Sequence, residues 1–110
     1  MAIHLSIIIP VYNEEKTILK ILDSIAKTKF EDNNYEIIII DDGSTDQTLK
    51  LLNDNKNKYS ILIKSHQNMG KGHAVIKGLE AANGKYVVFQ DADLEYDPEE
   101  FVNILKIYKK

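Results

Sequence analysis

Hydrophobic and polar positions fall in blocks along the chain: an apolar run, a polar turn and an amphipathic stretch, four times over. The first run covers residues 5–10, and Pro10 closes it. Asn13 stands where a helix cap is needed, with Glu14 and Glu15 favourable in the first turn. Ile18, Leu22, Ile25 and Ala26 then share one helical face. After the polar segment EDNN comes a second run, residues 35–40, ending in four successive isoleucines. A β-branched run this short predicts a strand buried on both faces. Asp41, Asp42 and Gly43 break it, and Ser44 with Gln47 fits a capping box for a helix reaching about Asn53. Residues 60–64 predict a third strand. Gly70 and Gly72 open a helix carrying Ala74, Val75, Gly78, Leu79 and Ala82, whose small residues permit close packing on a sheet. Asn83 and Gly84 end it. Residues 86–90 predict a fourth strand. Pro98 suits the first turn of a last helix that turns Phe101, Val102, Leu105 and Tyr108 inward.

Strands alternating with helices imply an α/β fold, a mainly parallel sheet of about four strands with flanking helices. In such sheets ligands bind beyond the carboxyl ends of the strands, near a switch in strand order. Polar clusters follow three of the four expected strands: Asn13 and Glu14, then Asp41 and Asp42, then Asp91 and Asp93. Parallel strands bring all three to one edge.

Composition narrows the function. At 110 residues the chain is long enough for one domain with a real core. Its 44% hydrophobic and 28% charged content is that of a folded soluble protein. The formal charge of −3 argues against nucleic acid as a partner. All 14 basic residues are lysine, so no bidentate arginine clamp on phosphate is available. There is no cysteine, which excludes disulfides and thiolate metal sites. No apolar run approaches a membrane span, and the opening MAIHLSIIIP lacks the marks of a signal peptide.

Three motifs carry candidate chemistry. In QDADLEYDP, Asp91 and Asp93 alternate along an extended strand end, so both face one side. Two converging carboxylates repel unless a cation sits between them, and Mg2+ or Mn2+ suits such oxygen ligands. The competing account is a polar turn with an aspartate capping the last helix; Asp97, before Pro98, reads as that cap. In IIIIDDGSTD, a turn explains Gly43, Ser44 and Asp46 but does not need both Asp41 and Asp42. A carboxylate there suits a ribose hydroxyl or a base N–H. SHQNMGKGHAVIKG is neither a Walker loop nor a dinucleotide fingerprint, because Val75 occupies the third glycine's place. Its glycines still permit a ligand's close approach, and Lys71 could meet a phosphate. His66 and His73 have no zinc spacing and read as solvated or capping residues, and Lys56, Lys58, Lys109 and Lys110 as solvated charges.

Taken together, SIIIPVYNEE, EIIIIDDGSTDQT and NMGKGHAVIKGLEAANGKYVVFQDADLEYDP resemble, in order and spacing, family 2 glycosyltransferases of the GT-A fold. The likeness is to dolichol-phosphate mannose synthases and related polyprenyl-phosphate glycosyltransferases, and it covers nearly the whole chain. It implies a Rossmann-like GT-A nucleotide-binding half. By resemblance, Pro10, Tyr12 and Glu14 line the pocket for the donor's base. Ile40 and Asp42 contact base or ribose, with Asp41 supporting. Gln90, Asp91 and Ala92 lie along ribose and diphosphate. Asp93 is the principal metal ligand, Asp91 assists it, and Lys71 is a further donor contact.

The resemblance also implies a UDP- or GDP-linked sugar donor, Mg2+ or Mn2+, and inverting transfer to a polyprenyl phosphate or a saccharide. It implies a cytoplasmic protein, with the full-length parent at the inner face of a membrane. Family catalytic domains run to about twice this length, so residues 1–110 are expected to be the nucleotide-sugar-binding part, without the acceptor side or its catalytic base. Such a chain is expected to bind nucleotide and transfer little sugar, and to self-associate through an exposed sheet edge or apolar face. Two rivals are an inactive module of glycosyltransferase shape and a receiver-type phosphoacceptor domain. The second conflicts with the order of motifs: the acidic pair follows the second strand, Lys64 ends the third, and no fifth strand is expected.

Overall fold

The structure, a computed structural model, describes residues 3–28, 34–92 and 108–109. Strands β1 (Leu5–Val11), β2 (Tyr35–Asp41), β3 (Ile61–Lys64) and β4 (Tyr86–Phe89) alternate with helices α1 (Ile18–Lys27), α2 (Thr48–Asn53) and α3 (Lys71–Ala81). A single 3₁₀ turn, Lys56–Lys58, leads into β3. The sheet order is β3-β2-β1-β4-β5, where β5 is the short segment Tyr108–Lys109. Strands β1 to β4 pair in parallel, and β5 runs antiparallel to β4.

The four-isoleucine run behaves as its composition demands. Ile37 is 6% exposed, and Ile38, Ile39 and Ile40 are fully buried. Alternate residues feed two cores. On one face, Ile7, Ile9, Val11, Ile37, Ile39 and Val88 pack against Ile18, Ile21, Leu22 and Ile25 of α1 and Leu52 of α2. On the other, Ile8, Ile38, Ile40 and Val87 pack against Ala74 of α3 and Ala82 beyond its end. Helix α3 lies close to the sheet because Gly78 has no side chain: a Cβ there would run into Ile8 and Ile40.

Several sequence expectations need correction. Ala26 is exposed, and Ile21 takes its place on the buried face of α1. Neither Asn13 nor Ser44 caps a helix: α1 begins after Thr17 and α2 after Gln47, neither with a side-chain cap. Both side chains are instead committed to contacts between loops. Lys58 is not simply solvated, since its ammonium pairs with Asp23 at 2.6 Å. Tyr108 belongs to β5, not to a helix, so a fifth strand exists. Because it is antiparallel, it does not supply the parallel fifth strand of a receiver fold. The remainder of the expected last helix, with Asp97 and Pro98, lies outside the described residues.

At the amino ends of the strands sits a buried polar cluster that the sequence pattern did not announce. Ser6 donates its hydroxyl to Glu36 Oε2 at 2.6 Å, and the Asn83 amide donates to the same oxygen at 2.7 Å. The Gly84 amide donates to Ser6 Oγ at 2.8 Å. Glu36 thereby ties the turn between α3 and β4 to the sheet, and its burial is compensated by these partners.

Candidate functional site

The chain leaves β1 toward β2 and β3, then returns through α3 to place β4 on the other side of β1. The strand order therefore switches between β1 and β4, where loops diverge and leave a crevice at the carboxyl ends. A cleft of about 360 Å3 opens there. Pro10, Val11, Tyr12 and Glu14 line it from the end of β1, and Asp91 and Ala92 from the end of β4. Asp42, Asn68, Gly70, Lys71 and Ala74 complete it from the β2 end and the start of α3.

Hydrogen bonds between loops build this rim. Asn13 takes a left-handed backbone conformation, φ 52°, which asparagine tolerates better than most residues. Its amide donates to Ser44 Oγ at 2.9 Å, and its side-chain oxygen accepts from the Thr45 amide at 2.7 Å and the Asp46 amide at 3.2 Å. The Glu14 amide donates to Thr48 Oγ1 at 2.9 Å, so Glu14 is positioned by α2 as well as by β1. The Thr17 hydroxyl reaches the Ala92 carbonyl and, at 3.1 Å, Glu14 Oε2, which joins the β1 and β4 sides of the rim.

The two aspartates after β2 have separate tasks. Asp42 is 4% exposed and accepts from the amides of Met69 and Gly70, each at 2.9 Å, so both its oxygens hold the loop before α3. Gly43 makes this approach feasible. Its φ is 80°, and an added Cβ would sit 2.7 Å from the Asn68 nitrogen. Asp41 is 1% exposed; one oxygen accepts from the Ser44 amide at 3.2 Å, and Oδ1 has no partner. Asp46 anchors the next turn. Burial pushes its pKa up, but hydrogen bonds from Thr48 and from the Glu15 amide outweigh this and hold it below the ordinary value.

Across the cleft, Lys71 Nζ pairs with Asp91 Oδ1 at 2.6 Å. Gln90 is 1% exposed; its Nε2 donates to the Asp91 carbonyl at 2.8 Å, and its Oε1 is buried without a partner.

The structure thus brings together Pro10, Tyr12, Glu14, Asp42, Lys71, Asp91 and Ala92. Ile40, Asp41 and Gln90 stand behind the lining. The Ile40 side chain belongs to the core under α3. Asp93 lies outside the described residues. Val11, Asn68 and the rim-joining Thr17 were not singled out from sequence, and Ala74 was read only as a small residue packing on the sheet. Asn68 adjoins the glycine loop already marked as an approach route, but Thr17 acts over 75 residues and left no local sign. Among the described residues no three acidic or imidazole groups gather to hold a metal unaided. Asp91 nevertheless offers a carboxylate to the cleft, which suits a hard cation completed by phosphate and water.

The parallel α/β sheet with a cleft at its switch point has the fold of the GT-A glycosyltransferases to which it is similar. The chain belongs to glycosyl transferase family 2, whose profile matches residues 6–110. It is 39% identical over 118 residues to the dolichyl-phosphate β-glucosyltransferase of Dictyostelium discoideum, covering 98% of this chain and 36% of that protein. It also resembles TarS 1–349 of Staphylococcus aureus, solved with UDP-GlcNAc. There the TM-score is 0.74 and the identity 36%, covering 83% of this chain and 27% of that one. The mannosyltransferase PcManGT of Pyrobaculum calidifontis, solved with GDP-Man and Mn2+, aligns with TM-score 0.71 and 29% identity, covering 84% of this chain and 28% of that one. The chain spans 36% or less of the length of the curated relatives it matches, and 16% of TarS. Among the described residues no helix is long and apolar enough to cross a membrane.

Proposed function

We propose that residues 1–110 form the donor-binding part of an inverting glycosyltransferase that takes a UDP- or GDP-linked sugar with Mg2+ or Mn2+. The observation that carries this is the placement of Asp91 and Lys71 against each other at the switch-point cleft, in a chain of this family. The base would enter beside Pro10, Tyr12 and Glu14, and the diphosphate beside Asp91, Ala92 and Lys71. Asp42 acts on the ribose side chiefly by fixing the 68–70 loop, because both its oxygens are engaged there. Asp41 and Gln90 support from behind, and Ile40 packs in the core beneath α3.

Asp91 with Asp93 would hold the cation, which when bound neutralises charge gathering on the departing nucleoside diphosphate. The acceptor oxygen attacks the anomeric carbon from the face opposite the diphosphate. The bond from that carbon to the β-phosphate oxygen breaks, and the diphosphate leaves with its electron pair. A polyprenyl phosphate is the acceptor we favour, since a dolichyl-phosphate enzyme is among the relatives and a phosphate oxyanion attacks without a strong base. A saccharide is the alternative. The parent protein would then work at the inner face of a membrane.

Calorimetric titration with UDP and GDP, with and without Mn2+, tests the reading. The expected result is metal-dependent binding of one nucleotide, lost in Asp93→Asn. No binding by a chain shown to be folded would overturn it. Because the chain spans only about a third or less of its relatives, we expect it to bind donor and transfer little or no sugar alone. Transfer at enzymic rates would contradict that part.

A further inference from the structure

Three carboxylates line the cleft, from Glu14, Asp42 and Asp91, against one cation among the described lining residues, Lys71. An incoming diphosphate meets repulsion from any acid left unanswered. Asp42 is answered by two backbone amides, and Glu14 is reached by the Thr17 hydroxyl. Among the described residues, Asp91 is answered by Lys71 alone, through a contact of 2.6 Å. The lysine is the first residue of α3, and Asp91 lies just past β4, so the pair bridges two elements. Its side chains are 67% and 37% exposed, which leaves the pair open to exchange with solutes.

A divalent cation bound to the Asp91 carboxylate and the Lys71 ammonium cannot share one oxygen without strong mutual repulsion. The ammonium sits on a flexible four-carbon stem and donates in any direction, so it can swing to a new anion. We propose that Lys71 is the cleft's resident counter-cation. A divalent cation displaces it from Asp91 efficiently only when a nucleoside diphosphate arrives with the metal, because the phosphates then take over the lysine. Lys71 thereby couples the two ligands and keeps bare metal from occupying the site. This rests on the donor-site reading above. By linkage, the metal tightens nucleotide binding by the same factor as the nucleotide tightens metal binding.

Counting free Mn2+ by electron paramagnetic resonance, with and without UDP or GDP, tests the exchange. The proteins are the wild-type chain, Lys71→Met, Lys71→Arg and, as a control of equal charge change elsewhere on α3, Lys77→Met. Removing the competing cation should tighten Mn2+ binding in Lys71→Met by roughly two- to fivefold, as suits a half-exposed pair. It should weaken nucleotide binding at saturating Mn2+ by roughly tenfold, through loss of a charge-assisted contact. Lys71→Arg and Lys77→Met should bind bare Mn2+ as the wild type does. Mn2+ binding no tighter in Lys71→Met than in the wild type, or equally tightened in Lys77→Met, would overturn the exchange. If the wild type still bound nucleotide with Mn2+, the donor-site reading would stand. Absence of nucleotide binding in every protein would overturn both.

Discussion

Asp42 shows how a single carboxylate turns a loop into a wall of the site. Its two oxygens hold the Met69 and Gly70 amides, and the next residue is Lys71. Asp42→Ala leaves both amides without that acceptor and should lower stability by about 2–3 kcal/mol, with a larger loss of nucleotide affinity than of fold. Asp42→Asn keeps one acceptor and should recover part of both. Urea unfolding and calorimetry on the two variants check this; equal stability in Asp42→Ala would contradict it. Asp46 makes a pH prediction. Its folded pKa lies below the ordinary 3.8, so the stability it adds is present above that value and is lost as pH falls through the folded one. Asp46→Asn should therefore lower stability by a constant amount from neutral pH upward and flatten the acid limb below about pH 4, where the two proteins converge. These residue roles were only half legible in the sequence. Asn13 and Ser44 carry the chemistry of helix caps, and the same short polar side chains serve equally well as bridges between loops. Which use prevails depends on what lies across the gap, and that is a tertiary fact.

The strands were the most legible elements. An apolar run buried on both faces has few alternatives, and β1, β2 and β4 sit where their runs lie. Helix α3 was legible for a related reason: small residues at 74, 78 and 82 mark the side that meets the sheet. Gly78→Val should test that contact. The branched side chain would be forced against Ile8 and Ile40 and should cost about 1–3 kcal/mol of stability by urea unfolding. An unchanged midpoint would show that α3 lies farther from the sheet than described. Less legible was the polar knot of Ser6, Glu36 and Asn83. A glutamate opening a strand reads as solvent-facing, and only the return of the chain 47 residues later supplies the amide that makes its burial tolerable.

At the scale of the molecule, topology does most of the work. Sending β4 to the far side of β1 opens the switch point, and the motifs after β1, β2 and β4 converge there. That convergence was foreseeable, because parallel strands must deliver their carboxyl ends to one edge. The antiparallel β5 was not, since two residues carry no periodicity. The pairing of Lys71 with Asp91 was not either, because it joins residues 20 apart on different elements. The central claim is that a nucleoside diphosphate and a divalent cation share this cleft. Paramagnetic broadening of backbone amide signals by Mn2+ in the presence of UDP or GDP tests it most directly. The account predicts that the amides of Tyr12 to Glu14, Gly70, Lys71, Asp91 and Ala92 broaden first, while those of Ser6, Glu36 and Gly84 at the opposite end of the strands stay sharp. Broadening centred on the Glu36 end, or spread evenly over the surface, would contradict it.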